Sequence, residues 1–343
     1  MKISFDLKAI EPMFNWLLKS KKENIRDEVE LRNILKLPEY KVEFERYENK
    51  NLPVCNINYE EAVDFFLNFD KKDFENKRLQ YKKPYFLKFY DNLEKNIKLV
   101  DIFKTINDED VSFINNLLTN GLPKTISEEN VEYKILLVIS IGNSMGWPYG
   151  NYIDFDVANL GMIKDKASFL HIVAHEIYHT FFSTLLPEEF TPLSYFVLNF
   201  AFEGLAVHFM NNAFTKNKKS KYDDKVYAMD DYSWDIYLKC DKELFDKFLS
   251  DYKKVENSKI TVEEVGNLIS NNYEQFTYKS ELLNKEFKIA QYPTYYLGCY
   301  IWGSIDLVFG KDVIFDVMKN PSKFLEVYNS AAKELGNTDY LIK

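Results

Sequence analysis

The chain has 343 residues, enough for one large or two ordinary domains, so core size is not limiting. Hydrophobic residues make up 46%, aromatic 16% and charged 28%, with 11 Gly and 10 Pro, which excludes collagen-like, low-complexity and disordered classes. A net charge of −9 supplies none of the positive field that a phosphate backbone requires, so nucleic acid is not an expected partner.

Arginine occurs only at Arg26, Arg32, Arg46 and Arg78. A bidentate clamp on a phosphate or a substrate carboxylate therefore comes from the N-terminal segment or not at all, which weighs against phosphoryl transfer and against a carboxypeptidase. Cys55, Cys240 and Cys299 are far apart and unpatterned, and read as reduced thiols. In the opening segment Asp6, Lys8 and Glu11 stand where a secretory signal needs an unbroken apolar run. The expectation is a cytoplasmic protein.

To about residue 128 the pattern is helical. Asn58 with Glu61 forms a capping box opening a helix through Phe66, and a helix over 108–118 stops at Gly121-Leu-Pro. Residues 131–141 (VEYKILLVISI) form a buried strand, 142–150 a turn-rich loop, and 151–157 a second strand pairing with the first. Helical spacing then runs from Ala167 to Leu185 and from Pro192 to about Phe214. Asn199, Glu203 and His208 inside the latter are costly in hydrocarbon, so it is expected as a buried helix and no membrane as a partner. The charged run at 215–224 reads as a surface loop, and 225–343 as further helices. The predicted fold is α+β and predominantly helical, with a small sheet over about 131–157. A helical region 1–128, a mixed core 129–215 and a helical region 216–343 form one compact unit.

All four histidines, His171, His175, His179 and His208, fall between residues 171 and 208. Within them His175-Glu176-Ile177-Tyr178-His179 is an H-E-x-x-H, and on a helix the i, i+4 spacing sets both imidazoles on one face, able to meet one zinc ion. Glu176 beside the first ligand can take a proton from the attacking water and hand it to a leaving amine. Glu203, a carboxylate in the apolar stretch Phe202-Glu203-Gly204-Leu205-Ala206, should be paired or bind a cation, and is the candidate third ligand. Gly204 would allow the two helices to approach closely. Two imidazoles, one carboxylate and an open position favour one catalytic zinc per chain. His171 lies about 12 Å of helix from His179, too far to share the ion, and is placed either as a core histidine or as one that supports the ligands from behind. His208 faces away from Glu203 and packs.

His175, Glu176, His179 and Glu203 resemble the zinc site of the gluzincin metallopeptidases, the thermolysin-like group. The E-G-x-A setting of Glu203, the strand pair and Tyr295-Tyr296-Leu297-Gly298 are also similar to a family of predicted bacterial zinc-dependent peptidases. The resemblance implies a peptide or protein substrate. It implies that the strand near 151–156 is the exposed edge that pairs with extended substrate. It also implies a tyrosine donor for the tetrahedral intermediate, with Tyr295 the first choice and Tyr296 and Tyr292 next. Where many gluzincins place an Asp four residues after the ligand Glu, this chain has Val207, and Asn199 is a substitute for orienting a ligand histidine. An aminopeptidase would need acids for the substrate amine, a part Asp154 and Asp156 could serve. Two other readings remain open: a catalytically inactive zinc-binding protein, and a helical interaction protein with core histidines.

Overall fold

The computed structural model describes residues 1–49, 56–127, 131–142, 146–163, 165–211, 226–227 and 229–343. The expected charged loop at 215–224 and Cys55 lie outside them. The fold is α+β and predominantly helical, as expected. The chain divides into two compact units, one of Met1–Phe113 with Glu129–Ile177, the other of Ile114–Glu128 with Tyr178–Lys343.

The first unit contains a four-stranded sheet built from β1 (Lys2–Asp6), β2 (Glu132–Val138), β3 (Gly146–Tyr149) and β4 (Tyr152–Asp156), in the order β1-β2-β4-β3. β2 lies parallel to both β1 and β4, and β3 runs antiparallel to β4. The apolar run of β2 suits a strand covered on both faces. β4 is not the exposed edge that the resemblance implied. Its Asp154 faces Leu136 of β2 on one side and Trp147 of β3 on the other. Among the described residues the edge on that side is β3, with β1 at the opposite edge, and Pro148 of β3, which cannot donate to a ladder, suits such a position.

Helices of this unit keep the expected capping box: Glu61 N donates to Asn58 Oδ1 at 2.9 Å, and Asn58 N donates to Glu61 Oε2 at 2.9 Å. Two guanidinium groups are taken up by bidentate pairs, Arg26 with Asp70 and Arg32 with Glu60. Arg46 stacks over Trp147, 4.1 Å from the ring centre.

At the end of β2 and β4 lies a fully buried ionic cluster. Lys82 Nζ donates to the carbonyl oxygens of Ser140 and Gly142 and lies 3.8 Å from Asp156. Asp156 accepts from the backbone N–H groups of Ser140 and Ala158, each at 3.0 Å. Glu43 accepts from Ile141 N at 2.8 Å and from Ser140 Oγ. Burial pushes the Glu43 carboxyl up to about 7. Burial, and then the like charges of Glu43 and Asp156, hold Asp154 well above the carboxylate range. Asp154 and Asp156 are inaccessible to solvent, so neither can receive a substrate amine.

In the second unit the helix Pro192–Met210 packs against Pro293–Phe309, Asp241–Asn257 and Val262–Tyr273. It is long and apolar enough to cross a membrane, and 61% of that stretch is buried within the protein. Gly204 does allow a close approach, but to a different helix from the one expected: a Cβ on it would stand 2.2 Å from the carbonyl carbon of Gly298. A hairpin of β5 (Thr277–Ser280) and β6 (Lys285–Lys288) completes this unit.

Candidate metal centre

His175 and His179 lie on the helix Lys166–Phe182, here the motif helix. Asp165 opens it by accepting from Ser168 N at 2.7 Å, and Ile172, Val173, Ala174, Ile177 and Tyr178 bury it on several sides. The division between the two units falls inside this helix, so the one-turn spacing of the two histidines is set by the helix itself. Glu203 lies on the helix Pro192–Met210, which Thr191 starts with a capping box and Pro192 with its fixed backbone angle.

Glu203 Oε2 is 3.3 Å from His179 Nε2. One ligand atom from each of His175, His179 and Glu203 lies within 4.8 Å of the others. The donor set fits zinc: two imidazoles and one carboxylate, with no ammonium or guanidinium among them. The histidines are almost covered, while the Glu203 side chain is 21% exposed, so the set is reachable from solvent on its carboxylate side.

Glu176, half-buried, follows the first histidine. A Cβ on Gly146 would stand 3.1 Å from its Cγ, so the edge strand β3 runs directly against the expected base. Glycine is what permits that approach.

Glu203 acts electrostatically on two further residues. Burial first, and then the charges of Glu274 and Glu203, push the phenol of Tyr292 up. Burial and the charge of Glu203 push Glu274 up as well. Tyr292 is half-buried just before the helix Pro293–Phe309, its ring 4.8 Å from that of Phe276. Tyr295 is half-buried in the first turn of that helix. Tyr296 points into the core against Trp234 and Tyr237, with ring centres 5.2 and 5.8 Å away. Of the three tyrosines, it is the one buried among aromatic side chains.

His171 is buried edge-on to Phe113 at 5.3 Å, a core position. His208 Nε2 lies 2.8 Å from Asp306, which gives this packing histidine a polar partner. Asn199 lines a cavity with His179. Sequence reasoning missed Gly146, Phe202 and Glu274. Phe202 stacks flat on His179, 4.1 Å between centres, and its only signal was adjacency to Glu203.

Residues 31–337 match the model of a family described as "Putative zinc dependent peptidase (DUF5700)". The chain belongs to that family. A search of curated proteins and a search of solved structures found no match. Among the described residues, His175, His179 and Glu203 are the group placed to hold the metal that the family's description names.

Proposed function

We propose that the protein hydrolyses peptide bonds by a gluzincin-type mechanism, with His175, His179 and Glu203 holding one zinc and Glu176 as the base. The observation that carries this is the convergence of the three ligand atoms within 4.8 Å, one of them next in sequence to Glu176. When bound, zinc supplies a Lewis acid that acidifies water and polarises a carbonyl. Glu176 accepts the proton of the attacking water and delivers it to the departing amine. A tyrosine hydroxyl donates to the oxygen that gains charge. Tyr295, half-buried in the first turn of its helix, is the first choice for that donor, with Tyr296 and Tyr292 next. Among the described residues the outer edge of β3 pairs with no strand, and it is suited to pair with an extended substrate beside Glu176.

The test is Glu176→Gln. Hydrolysis of unstructured peptides is expected to fall by roughly 10²–10⁴-fold with the zinc content unchanged. Retained activity would remove Glu176 from the mechanism. A wild type that holds zinc and cleaves nothing would favour the non-catalytic zinc-binding reading.

A further inference from the structure

In the first unit a recess of about 500 Å³ is lined by the helices Lys77–Asp91 and Leu93–Lys104, the Asn92 that joins them, and the short helix Val157–Met162 that follows β4. We propose that this recess binds a small phosphate monoester that carries a ring, of the size of a sugar phosphate or a nucleoside monophosphate. None of His175, Glu176, His179 and Glu203 lines it, so the inference goes beyond the peptidase reading and does not rest on it.

Charge is the first observation. Lys88 and Lys95 both line the recess, and among the described residues no Asp or Glu does. Neither ammonium is taken up by an ion pair among those residues. The larger cavity of the second unit, about 810 Å³, differs in this respect: its Lys242, Lys247 and Lys279 are matched by Glu243, Asp246 and Glu281, and Lys242 is paired with Asp246. In a chain of net charge −9, a recess with two ammonium groups and no acid is a local reversal of sign. Two such groups match the double charge of a phosphate monoester better than the single charge of a carboxylate. Lysine binds phosphate as a point charge, so the absence of an arginine fork does not count against binding.

The walls account for the ring. Tyr85 lines the recess yet is 46% exposed, and Tyr81 braces it at 5.3 Å between ring centres, which leaves an open aromatic face to stack on. Phe89, Val157, Leu160 and Ile163 form an apolar floor, each of them buried. The amides are already oriented: Nδ2 of Asn92 donates to Lys88 O at 2.9 Å, Nδ2 of Asn96 to Phe89 O at 3.2 Å, and Nδ2 of Asn159 to Asp156 at 2.8 Å. An amide held by one N–H still offers a second N–H and a carbonyl oxygen, and Asn92 and Asn96 thus present donor and acceptor pairs suited to sugar hydroxyls or the edge of a base. Walls formed before the ligand arrives bind it without the cost of being ordered. The volume falls within the about 300–1,000 Å³ of pockets that take whole small molecules.

The experiment titrates the full chain by calorimetry with adenosine monophosphate, glucose 6-phosphate, adenosine and glucose. At least one of the two esters is expected to bind, at least about tenfold more tightly than its phosphate-free counterpart, and to weaken as salt is raised. The ester that binds tells a base-bearing ligand from a sugar phosphate. Lys88→Gln and Lys95→Gln should each lower its affinity by about tenfold, as the loss of a charged donor does. Tyr85→Ala should lower it as well. Lys98→Gln, on the same helix as Lys95 but outside the recess, should leave it unchanged. All four side chains are exposed, and circular dichroism checks that the variants stay folded. Failure of both esters to bind at millimolar concentration would overturn the proposal, and so would equal binding of the esters and their phosphate-free counterparts. Affinity unmoved by both Lys88→Gln and Lys95→Gln would place the ester elsewhere, at the metal centre for one, and would overturn it too. An equal loss in Lys98→Gln would reduce the effect to general surface charge and have the same consequence.

Discussion

Glu43, Asp156 and Lys82 in the sheet-bearing unit and His175, His179 and Glu203 on the two site helices are both sets of ionisable side chains, the first fully buried and the second partly open at Glu203, and they differ in how their charges are arranged. Lys82 brings its own positive charge to the first set, and backbone N–H groups satisfy the carboxylates there. The second set consists of two imidazoles and a carboxylate that converge on one point, with Glu274 adding negative charge nearby. Burial of charge therefore does not by itself mark a metal site. The mark is a set of metal-binding side chains whose ligand atoms converge on one point.

Removing the built-in cation gives the largest effect. Lys82→Met leaves Asp156 and two carbonyl oxygens buried without their ammonium, and should cost about 3–5 kcal/mol in urea unfolding while folded protein keeps its zinc. A cost near zero would mean that Lys82 does not close the cluster, and the comparison would fail.

The pH dependence sharpens the contrast. The Glu43 carboxyl ordinarily ionises near 4.5 and in the folded chain near 7. Between those values the folded state holds a proton that the unfolded state has lost, so stability declines as pH rises from about 4.5 to about 7 and levels off above. Glu43→Gln should flatten much of that decline in unfolding midpoints taken across the range. Asp154, also raised, leaves a residual slope of the same sign. An unchanged slope in Glu43→Gln would take Glu43 out of the account.

The smallest effect is a control that touches neither set. Asn58→Ala removes the cap of a helix in the first unit and should cost about 1 kcal/mol, with zinc content and pH slope unaltered.

What the sequence revealed follows the range of the interactions involved. His175, Glu176 and His179 were legible because their geometry is fixed within one helical turn, and Glu203 because a carboxylate in an apolar stretch needs a reason. The capping box at Asn58 and Glu61 is equally local. β3 was not legible: Gly-Trp-Pro-Tyr reads as a turn, and pairing with β4 alone makes it a strand. That same pairing moved the edge from β4 to β3 and covered Asp154. Gly204 was read correctly as a contact point but its partner, Gly298, lies almost a hundred residues away. The choice among Tyr292, Tyr295 and Tyr296 depended on which faces of a distant helix are covered, and 24 tyrosines gave no local signal.

The most direct test of the central claim is zinc content by plasma mass spectrometry on the purified wild type beside His175→Ala and Glu203→Ala. About one zinc per chain in the wild type, lost in both variants while they stay folded by circular dichroism, is the expected result. A wild type that holds no zinc after the metal is added and the excess removed would contradict the claim, and so would variants that retain it in full.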